Sequence, residues 1–281
     1  MKKILLRSLV SFSLLLFVYS CGTNPITGRS QVSTVSNAEI FPQTFAAYDQ
    51  VMQSSKLSTN QAQTEQIKRV GVRIQKAVEK ALAEIGKSDA IEGYQWEYNL
   101  IEDNQLNAWC MPGGKVAFYT GILPVCKDDN GIAVVMGHEI AHAIANHGAE
   151  RISQEMIRNG VGQLGAQVLS GQVSPQTNQV IMSVYGVGTN LGMLKYSRTH
   201  ESEADEMGII FMALAGYNPN EAPAFWERMS AVSSSGDTPE FFSTHPHSTT
   251  RIQDLNKLLA VADEVYKTKS IQPYLDYKKK K

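Results

Sequence analysis

Gly131-Ile-Ala-Val-Val-Met-Gly-His-Glu-Ile-Ala-His-Ala-Ile-Ala-Asn-His-Gly148 is the stretch around which the rest of the chain is arranged. It is predicted to form one amphipathic helix that carries His138, Glu139 and His142. Positions four apart lie one turn above each other on a helix face, so both histidines can offer a nitrogen to one ion. The glutamate between them is placed to take a proton from a water beside that ion.

The pattern His-Glu-x-x-His also arises by chance on ordinary helices. The residues around it here are nearly all apolar, namely Val134, Val135, Ile140, Ala141, Ile144 and Ala145. A buried apolar helix does not carry three polar side chains at its centre unless they have partners. The context therefore favours a catalytic site with one Zn²⁺ per chain, in which Glu139 is the general base.

Composition indicates a folded chain without a nucleic-acid partner. The 281 residues are 43% hydrophobic and 19% charged, which is enough for a large domain with a core. A formal net charge of −1 does not provide the basic face that nucleic-acid binders carry. The four final lysines end a basic tail over residues 267–281, which is predicted to be solvated.

The N-terminus has the pattern of an export signal. Lys2, Lys3 and Arg7 precede an apolar run at residues 14–18, and Cys21 follows. The ending resembles a bacterial lipoprotein signal over residues 1–20, with Cys21 as the lipid anchor and residues 21–40 as a tether. By the same resemblance, the absence of aspartate at position 22 favours the periplasmic face of the outer membrane. A secreted protein with an incidental cysteine is the alternative.

Cys110 and Cys126 remain once Cys21 is assigned to lipid. Export would place them in an oxidising compartment, where two cysteines can pair. The spacing leaves a disulfide and two buried free thiols equally open.

One domain is predicted over residues 41–266, as helices around a small pair of strands. The patterns fall at residues 67–82 (helix), 96–101 and 115–119 (strands), 221–232 and 249–266 (helices). A turn-rich loop is predicted at 107–114. Residues 156–195 are predicted to contain packed helices, with a lid over the cleft as the alternative. A sheet edge beside a metal helix can bind an extended peptide by strand addition, and an ordinary hairpin is the alternative.

A catalytic zinc takes three protein ligands and leaves one position open. His147 follows His142 by five residues, and on a continuous helix it points about 140° away from the ligand face. The zinc-site pattern with a third histidine also requires glycine where this chain has Ala145. We therefore expect His147 to be a helix cap or a surface residue and not a ligand.

Glu201 and Asp205 are the stronger candidates. They are four residues apart, so they are expected on one helix face. Glu201 can bind the zinc, while Asp205 can accept a hydrogen bond from the second nitrogen of a ligand histidine. Glu203 is expected to point elsewhere. Acidic residues in a first helical turn also occur without any metal, because they stabilise the helix dipole.

His245 and His247 lie in a polar loop near the C-terminus. As ligands they are weaker candidates. A loop histidine can hydrogen-bond a developing oxyanion or block the open metal position in a resting state. A simple Thr-His-Pro turn is the alternative for His245, and it is favoured over a functional role for His247.

The chain contains further spaced motifs: Ser197-Arg198-x-x-Glu201-x-x-Ala204-Asp205, Thr244-His245-Pro246, Asn107-Ala108, Pro112-Gly113-Gly114 and Asn24-Pro25-x-Thr27-Gly28-Arg29. With the histidine helix, they resemble the zinc metallopeptidase family of HtpX and the CAAX prenyl proteases. The stretches at residues 107–114 and 24–29 resemble its soluble, periplasmic lipoprotein branch, of BepA, LoiP and Oma type. The resemblance covers most of residues 24–255. The multi-span membrane domain of HtpX and the prenyl proteases has no counterpart here, which argues against membrane-embedded or prenylated substrates.

The resemblance implies a mostly helical α+β fold of zincin type, with a small sheet beside the active-site helix. Carried over position by position, it implies that His138, His142 and Glu201 bind Zn²⁺ and that Glu139 is the general base. It also implies that Asp205 lies behind a ligand histidine and that His245 lies near the open metal position. The predicted function is an envelope endopeptidase that acts on unfolded or misassembled envelope proteins. The alternative is a zinc-bearing chaperone or assembly factor with little or gated proteolysis.

Overall fold

The computed structural model describes residues 21–158, 196–234, 240–246 and 250–280. Helices dominate this part of the chain. In order, the elements are β1 (Cys21–Thr23), β2 (Ser30–Val32), α1 (Asn37–Ser54), α2 (Gln61–Glu84), β3 (Glu97–Ile101), β4 (Ala108–Met111), β5 (Lys115–Tyr119), α3 (Leu123–Cys126), α4 (Asp129–Ile144), α5 (His147–Arg158), α6 (Arg198–Leu214), α7 (Glu221–Ser234), α8 (Phe241–Thr244), α9 (Arg251–Thr268) and α10 (Gln272–Lys279).

Helix α4 lies at the centre of the core. Asp128 caps its first turn by accepting hydrogen bonds from the backbone N–H groups of Asn130 and Gly131. Every residue from 131 to 144 is buried. An amphipathic helix was predicted, and this is wrong: the helix is enclosed on all sides, because α2, α6, α7 and β4 pack around it.

Helices α4 and α6 approach closely where each has a glycine. A Cβ atom at Gly137 would lie 2.7 Å from the Gly208 carbonyl oxygen, and one at Gly208 would lie 2.9 Å from the His138 backbone nitrogen. A side chain at either position would push the two backbones apart. The glycine pair therefore lets α6 run beside the histidine face of α4.

The three-stranded sheet has the order β3-β5-β4. Strands β3 and β5 are parallel, whereas β4 and β5 are antiparallel. The predicted loop at 107–114 was wrong in part, because residues 108–111 form β4, a strand too short for its alternation to stand out. The alternative of a hairpin between the two predicted strands is also wrong, because they pair in parallel. Strand β4 lies at the edge of the sheet.

The N-terminal segment packs onto the domain, although a tether was predicted for residues 21–40. Strands β1 and β2 pair antiparallel, and α1 begins at Asn37. Arg29 forms ion pairs with Glu150 and Glu203, and the Gln31 amide donates to the Ala145 carbonyl oxygen. The segment is polar because its side chains bind buried polar groups of the domain.

The C-terminal region is also more ordered than the predicted solvated tail. Helix α10 buries Tyr274 completely, and the Tyr274 hydroxyl donates to Glu206 at 2.8 Å. Lys278 pairs with the same carboxylate at 3.0 Å. Burial of one aromatic ring thus fixes a helix whose remaining residues are mainly polar.

The mostly helical α+β zincin-type fold is confirmed, with the small sheet beside α4. The helices predicted around 67–82, 221–232 and 249–266 are also present. Across the described ranges, no helix has the length and apolar character needed to cross a membrane. The predicted signal at 1–20 lies outside the described residues. So do residues 159–195, most of the region predicted to contain packed helices, with a lid as the alternative. Cys110 and Cys126 are buried free thiols, so of the two alternatives the disulfide is wrong.

Candidate metal centre

Four side chains from three parts of the fold point their ligand atoms at one place. His138 and His142 come from α4, Glu201 from α6 and His245 from the segment after α8. All four are buried, and each offers one ligand atom, a histidine nitrogen or a carboxylate oxygen, that lies within 4.8 Å of the other three. The helix spacing thus brings the two histidines together, and the α4–α6 contact adds the glutamate.

The distances within this group suit a tetrahedral zinc. The Nε2 atoms of His138 and His142 are 3.1 Å apart, and Glu201 Oε1 lies 3.3 Å from His142 Nε2. His245 Nδ1 lies 3.3 Å from His138 Nε2 and 3.0 Å from Glu201 Oε1. Ligands at about 2.1 Å from a tetrahedral zinc are separated by roughly 3.4 Å. Imidazole nitrogens and a carboxylate oxygen are also ligands that zinc accepts.

Glu139 lies beside the group but outside it. Its Oε1 atom has no hydrogen-bond partner within the described part of the chain, and it lies 3.6 Å from His245 Nε2. Burial raises the pKa of the Glu139 carboxyl to about 8. A buried carboxylate oxygen that lacks a hydrogen-bond partner is costly. The position therefore suits a group that exchanges a proton with a water or a substrate in the cleft.

Asp205 holds the first histidine from behind. His138 Nδ1 lies 2.9 Å from Asp205 Oδ1. Because His138 Nε2 faces the ligand group, the ring carries its proton on Nδ1 and donates it to the carboxylate. This contact fixes both the tautomer and the orientation of the ring.

Arg251 joins two acidic side chains of α6, Glu201 and Asp205, and no sequence motif pointed to it. Its Nε donates to Asp205 Oδ2 at 2.6 Å, and its Nη2 donates to Glu201 Oε2. Its guanidinium carbon lies 3.9 Å from the centre of the Trp226 ring. Burial acts to raise the pKa of Glu201, but His245, His142 and Arg251 outweigh it and hold that pKa well below its usual range.

His147 is fully buried, so the prediction of a cap or surface position was wrong. Helix α4 ends at Ile144, Asn146 turns the chain with a φ of 53°, and His147 begins α5. The turn breaks the continuous helix on which the prediction rested. His147 Nδ1 now lies 2.9 Å from His142 Nδ1, outside the ligand group but against its second histidine.

A chain of hydrogen bonds continues from His147 to the N-terminal segment. If His142 Nε2 binds the metal, its Nδ1–H donates to His147 Nδ1, and His147 Nε2–H donates to Glu203 at 2.9 Å. Burial lowers the pKa of His147 to about 4, which keeps the ring neutral for this arrangement. Arg29 then binds Glu203. Glu203 was predicted to point elsewhere, and it does stay outside the ligand group, but it holds His147 in place.

The group opens into a cleft that has strand β4 along one side. The cleft is lined by residues 107–111 together with Glu139, Arg151, Tyr196, Thr244 and His245. His245 was predicted near the open metal position, and the structure places it at the fourth corner of the ligand group. His247 lies outside the described residues. No sequence signal distinguished Arg251 or Arg151, and Arg29 stood out only as the end of the motif at residues 24–29.

Comparisons with known proteins agree with this geometry. Residues 69–259 match peptidase family M48. The chain is 36% identical over 190 residues to mitochondrial metalloendopeptidase OMA1 of Schizosaccharomyces pombe, covering 67% of this chain and 53% of that protein. It is 27% identical over 243 residues to the beta-barrel assembly-enhancing protease of Escherichia coli (strain K12), covering 85% of this chain and 47% of that protein.

A third relative extends over nearly the whole chain. The mitochondrial metalloendopeptidase OMA1 of Bos taurus is 28% identical over 280 residues, which cover 96% of this chain and 52% of that protein. The chain therefore spans about half the length of these relatives. The family match includes both α4 and α6. It confirms the family resemblance that was predicted from the sequence motifs. The chain belongs to peptidase family M48.

Proposed function

We propose that this protein is a zinc-dependent endopeptidase of the bacterial cell envelope. One observation carries the proposal: the ligand atoms of His138, His142 and Glu201 converge beside Glu139, whose Oε1 atom has no hydrogen-bond partner in the described part of the chain. Three protein ligands and a neighbouring acidic group are the parts that metal-assisted peptide hydrolysis requires. Zinc bound there would polarise the scissile carbonyl and make a water more acidic.

Side chains and one strand of the chain account for proton transfer, ligand positioning and substrate binding. Glu139 takes a proton from the attacking water and returns it to the nitrogen of the leaving amine. Asp205 and His147 hold the two ligand imidazoles with Nε2 directed at the centre. Strand β4 is at the edge of the sheet and lines the cleft, so an extended peptide can add to it as a further strand.

His245 has two roles that the geometry supports. With His138, His142 and Glu201 as ligands, its Nδ1 fills the fourth corner and would block the open position. If the ring moves aside, it can donate a hydrogen bond to the developing oxyanion. Activity of His245→Ala separates the roles, since loss of a block raises the rate and loss of an oxyanion donor lowers it.

The proposed substrates are unfolded or misassembled envelope proteins. Strand addition to β4 requires an extended segment, which folded proteins rarely expose in a cleft. The Escherichia coli relative is named as a protease that enhances beta-barrel assembly, which supports substrates of this class.

Cleavage of an unfolded protein tests the proposed activity. Purified protein comprising residues 21–281 is expected to cleave casein, a chelator is expected to stop the cleavage, and added zinc is expected to restore it. Gel electrophoresis and mass spectrometry of the fragments measure the result. Chelator-resistant cleavage would point to a contaminating protease. No cleavage, together with suppressed aggregation of the unfolded protein, would favour the zinc-bearing chaperone instead.

We also propose that Cys21 anchors the chain to the periplasmic face of the outer membrane through lipid. The apolar run before Cys21 and glycine at position 22 support this. After membrane fractionation, the wild type and a Cys110→Ala control are expected in the outer-membrane fraction, and Cys21→Ala in the soluble fraction. The same distribution for all three proteins would contradict the anchor.

A further inference from the structure

Arg151 is a buried cation that faces the cleft, and two of its side-chain nitrogens have no hydrogen-bond partner among the described residues. Its side chain belongs to α5 and lines the same cleft as Glu139 and His245. Only 6% of the residue surface is exposed, and its Nε and Nη2 atoms have no partner among the residues that the structure describes. Arg251, the comparable buried arginine, instead donates to two carboxylates.

Stacking fixes the Arg151 guanidinium in place. Its central carbon lies 4.1 Å from the centre of the Tyr196 ring. That ring in turn lies 3.9 Å from the His142 ring and 5.0 Å from the His245 ring, measured between centroids. An arginine stacked on an aromatic face keeps its N–H groups free in the guanidinium plane. The free donors are therefore held close to the metal centre.

The two free nitrogens define the kind of ligand. Nε and Nη2 lie on one edge of the guanidinium, and their parallel N–H bonds match the two oxygens of a carboxylate. Buried N–H groups without an acceptor are costly, so an anion that enters the cleft and accepts hydrogen bonds from Nε and Nη2 gains binding energy there. The carboxylate of the preceding residue, Glu150, binds Arg29 and His200 instead.

We propose that Arg151 is a specificity-determining residue that binds an acidic side chain of the peptide next to the scissile bond. This rests on the proposed endopeptidase function. A peptide added to β4 would place alternate side chains on opposite faces of the strand. Side chains on one face of the peptide then point towards Arg151, and the preference is expected at the position on that face nearest to the reacting carbonyl.

Paired peptides test the proposal. Each pair has the same fluorogenic sequence, with Glu or the neutral isostere Gln at one position around the scissile bond. At one position, the wild type is expected to cleave the Glu peptide with at least about 10-fold higher kcat/KM. Arg151→Gln is expected to bring this ratio to about 1 with unchanged zinc content, and Arg151→Glu to favour a Lys peptide.

Arg73 provides a matched control. It also stacks on a tyrosine, with its guanidinium carbon 4.6 Å from the Tyr217 ring centre, but it is exposed and does not line the cleft. Arg73→Gln is expected to keep the wild-type Glu/Gln ratio. A wild-type ratio near 1 at every position overturns the proposal. An equal loss for all peptides in Arg151→Gln also overturns it, because it indicates a main-chain contact or a structural role.

Binding separates this proposal from the proposed hydrolysis. In the Glu139→Gln background, fluorescence anisotropy is expected to show tighter binding of the Glu peptide, and Arg151→Gln is expected to remove the difference. If the wild type cleaves no peptide but this binding preference is present, the endopeptidase function fails and the Arg151 site stands. If cleavage is chelator-sensitive but neither assay shows the preference, the Arg151 site fails alone.

Discussion

Replacing Glu139 by glutamine is expected to leave zinc bound while lowering kcat/KM for peptide cleavage by about 10²–10⁴-fold, the usual contribution of a general base. Glutamine keeps the size of the side chain but cannot accept the proton of the attacking water. Glu139 is not among the grouped ligand atoms, so the metal content is expected to stay the same.

Three measurements on the Glu139→Gln variant define the result. Elemental analysis gives the zinc content, steady-state kinetics on a fluorogenic peptide give kcat/KM, and circular dichroism gives the Tm. The Tm is expected to be no lower than that of the wild type, because a neutral amide is less costly to bury than a carboxyl whose Oε1 atom has no partner among the described residues. Glu102→Gln, at the surface outside the cleft, serves as a control and is expected to be fully active. Residual activity near wild type in the Glu139 variant would exclude Glu139 as the base.

Site residues that are spaced one helical turn apart could be predicted from the sequence. The spacing of His138 and His142, and of Glu201 and Asp205, places each pair on one face, and the structure has both pairs facing each other. His147 could not be placed in this way. The positive φ of Asn146 starts a new helix, and angles extrapolated along α4 no longer apply.

Other parts depend on contacts between distant segments. Arg29 lies more than a hundred residues from Glu150 and Glu203, yet it binds both. The polar stretch around Arg29 has no apolar periodicity, so it resembles a tether in sequence. Its role is to provide a counter-ion for acidic side chains inside the domain, and only the tertiary structure shows those side chains to be buried.

Removing Glu201 is expected to reduce both zinc binding and stability. Glu201→Ala takes away one of three proposed ligands, so most of the zinc is expected to be lost on dialysis. It also leaves Arg251 with Asp205 as its remaining carboxylate partner in the described structure. Both Arg251 and Glu201 are almost completely buried, and breaking a buried ion pair by removing one partner costs about 3–5 kcal/mol. The metal-free variant is therefore expected to unfold at a lower urea concentration than the metal-free wild type.

Glu201→Gln separates these two effects. Its amide oxygen can still accept the hydrogen bond from Arg251 Nη2, so the loss of stability is expected to be smaller than in Glu201→Ala. Zinc binding is nevertheless expected to be weak, because a neutral amide replaces a charged ligand. Glu203→Gln changes a residue that holds His147 and does not contact a ligand, so it is expected to weaken zinc binding by less than the roughly 10–100-fold typical of direct partners of a ligand. If both Glu201 variants keep full zinc, His245 is the remaining donor of the group and must be the third ligand.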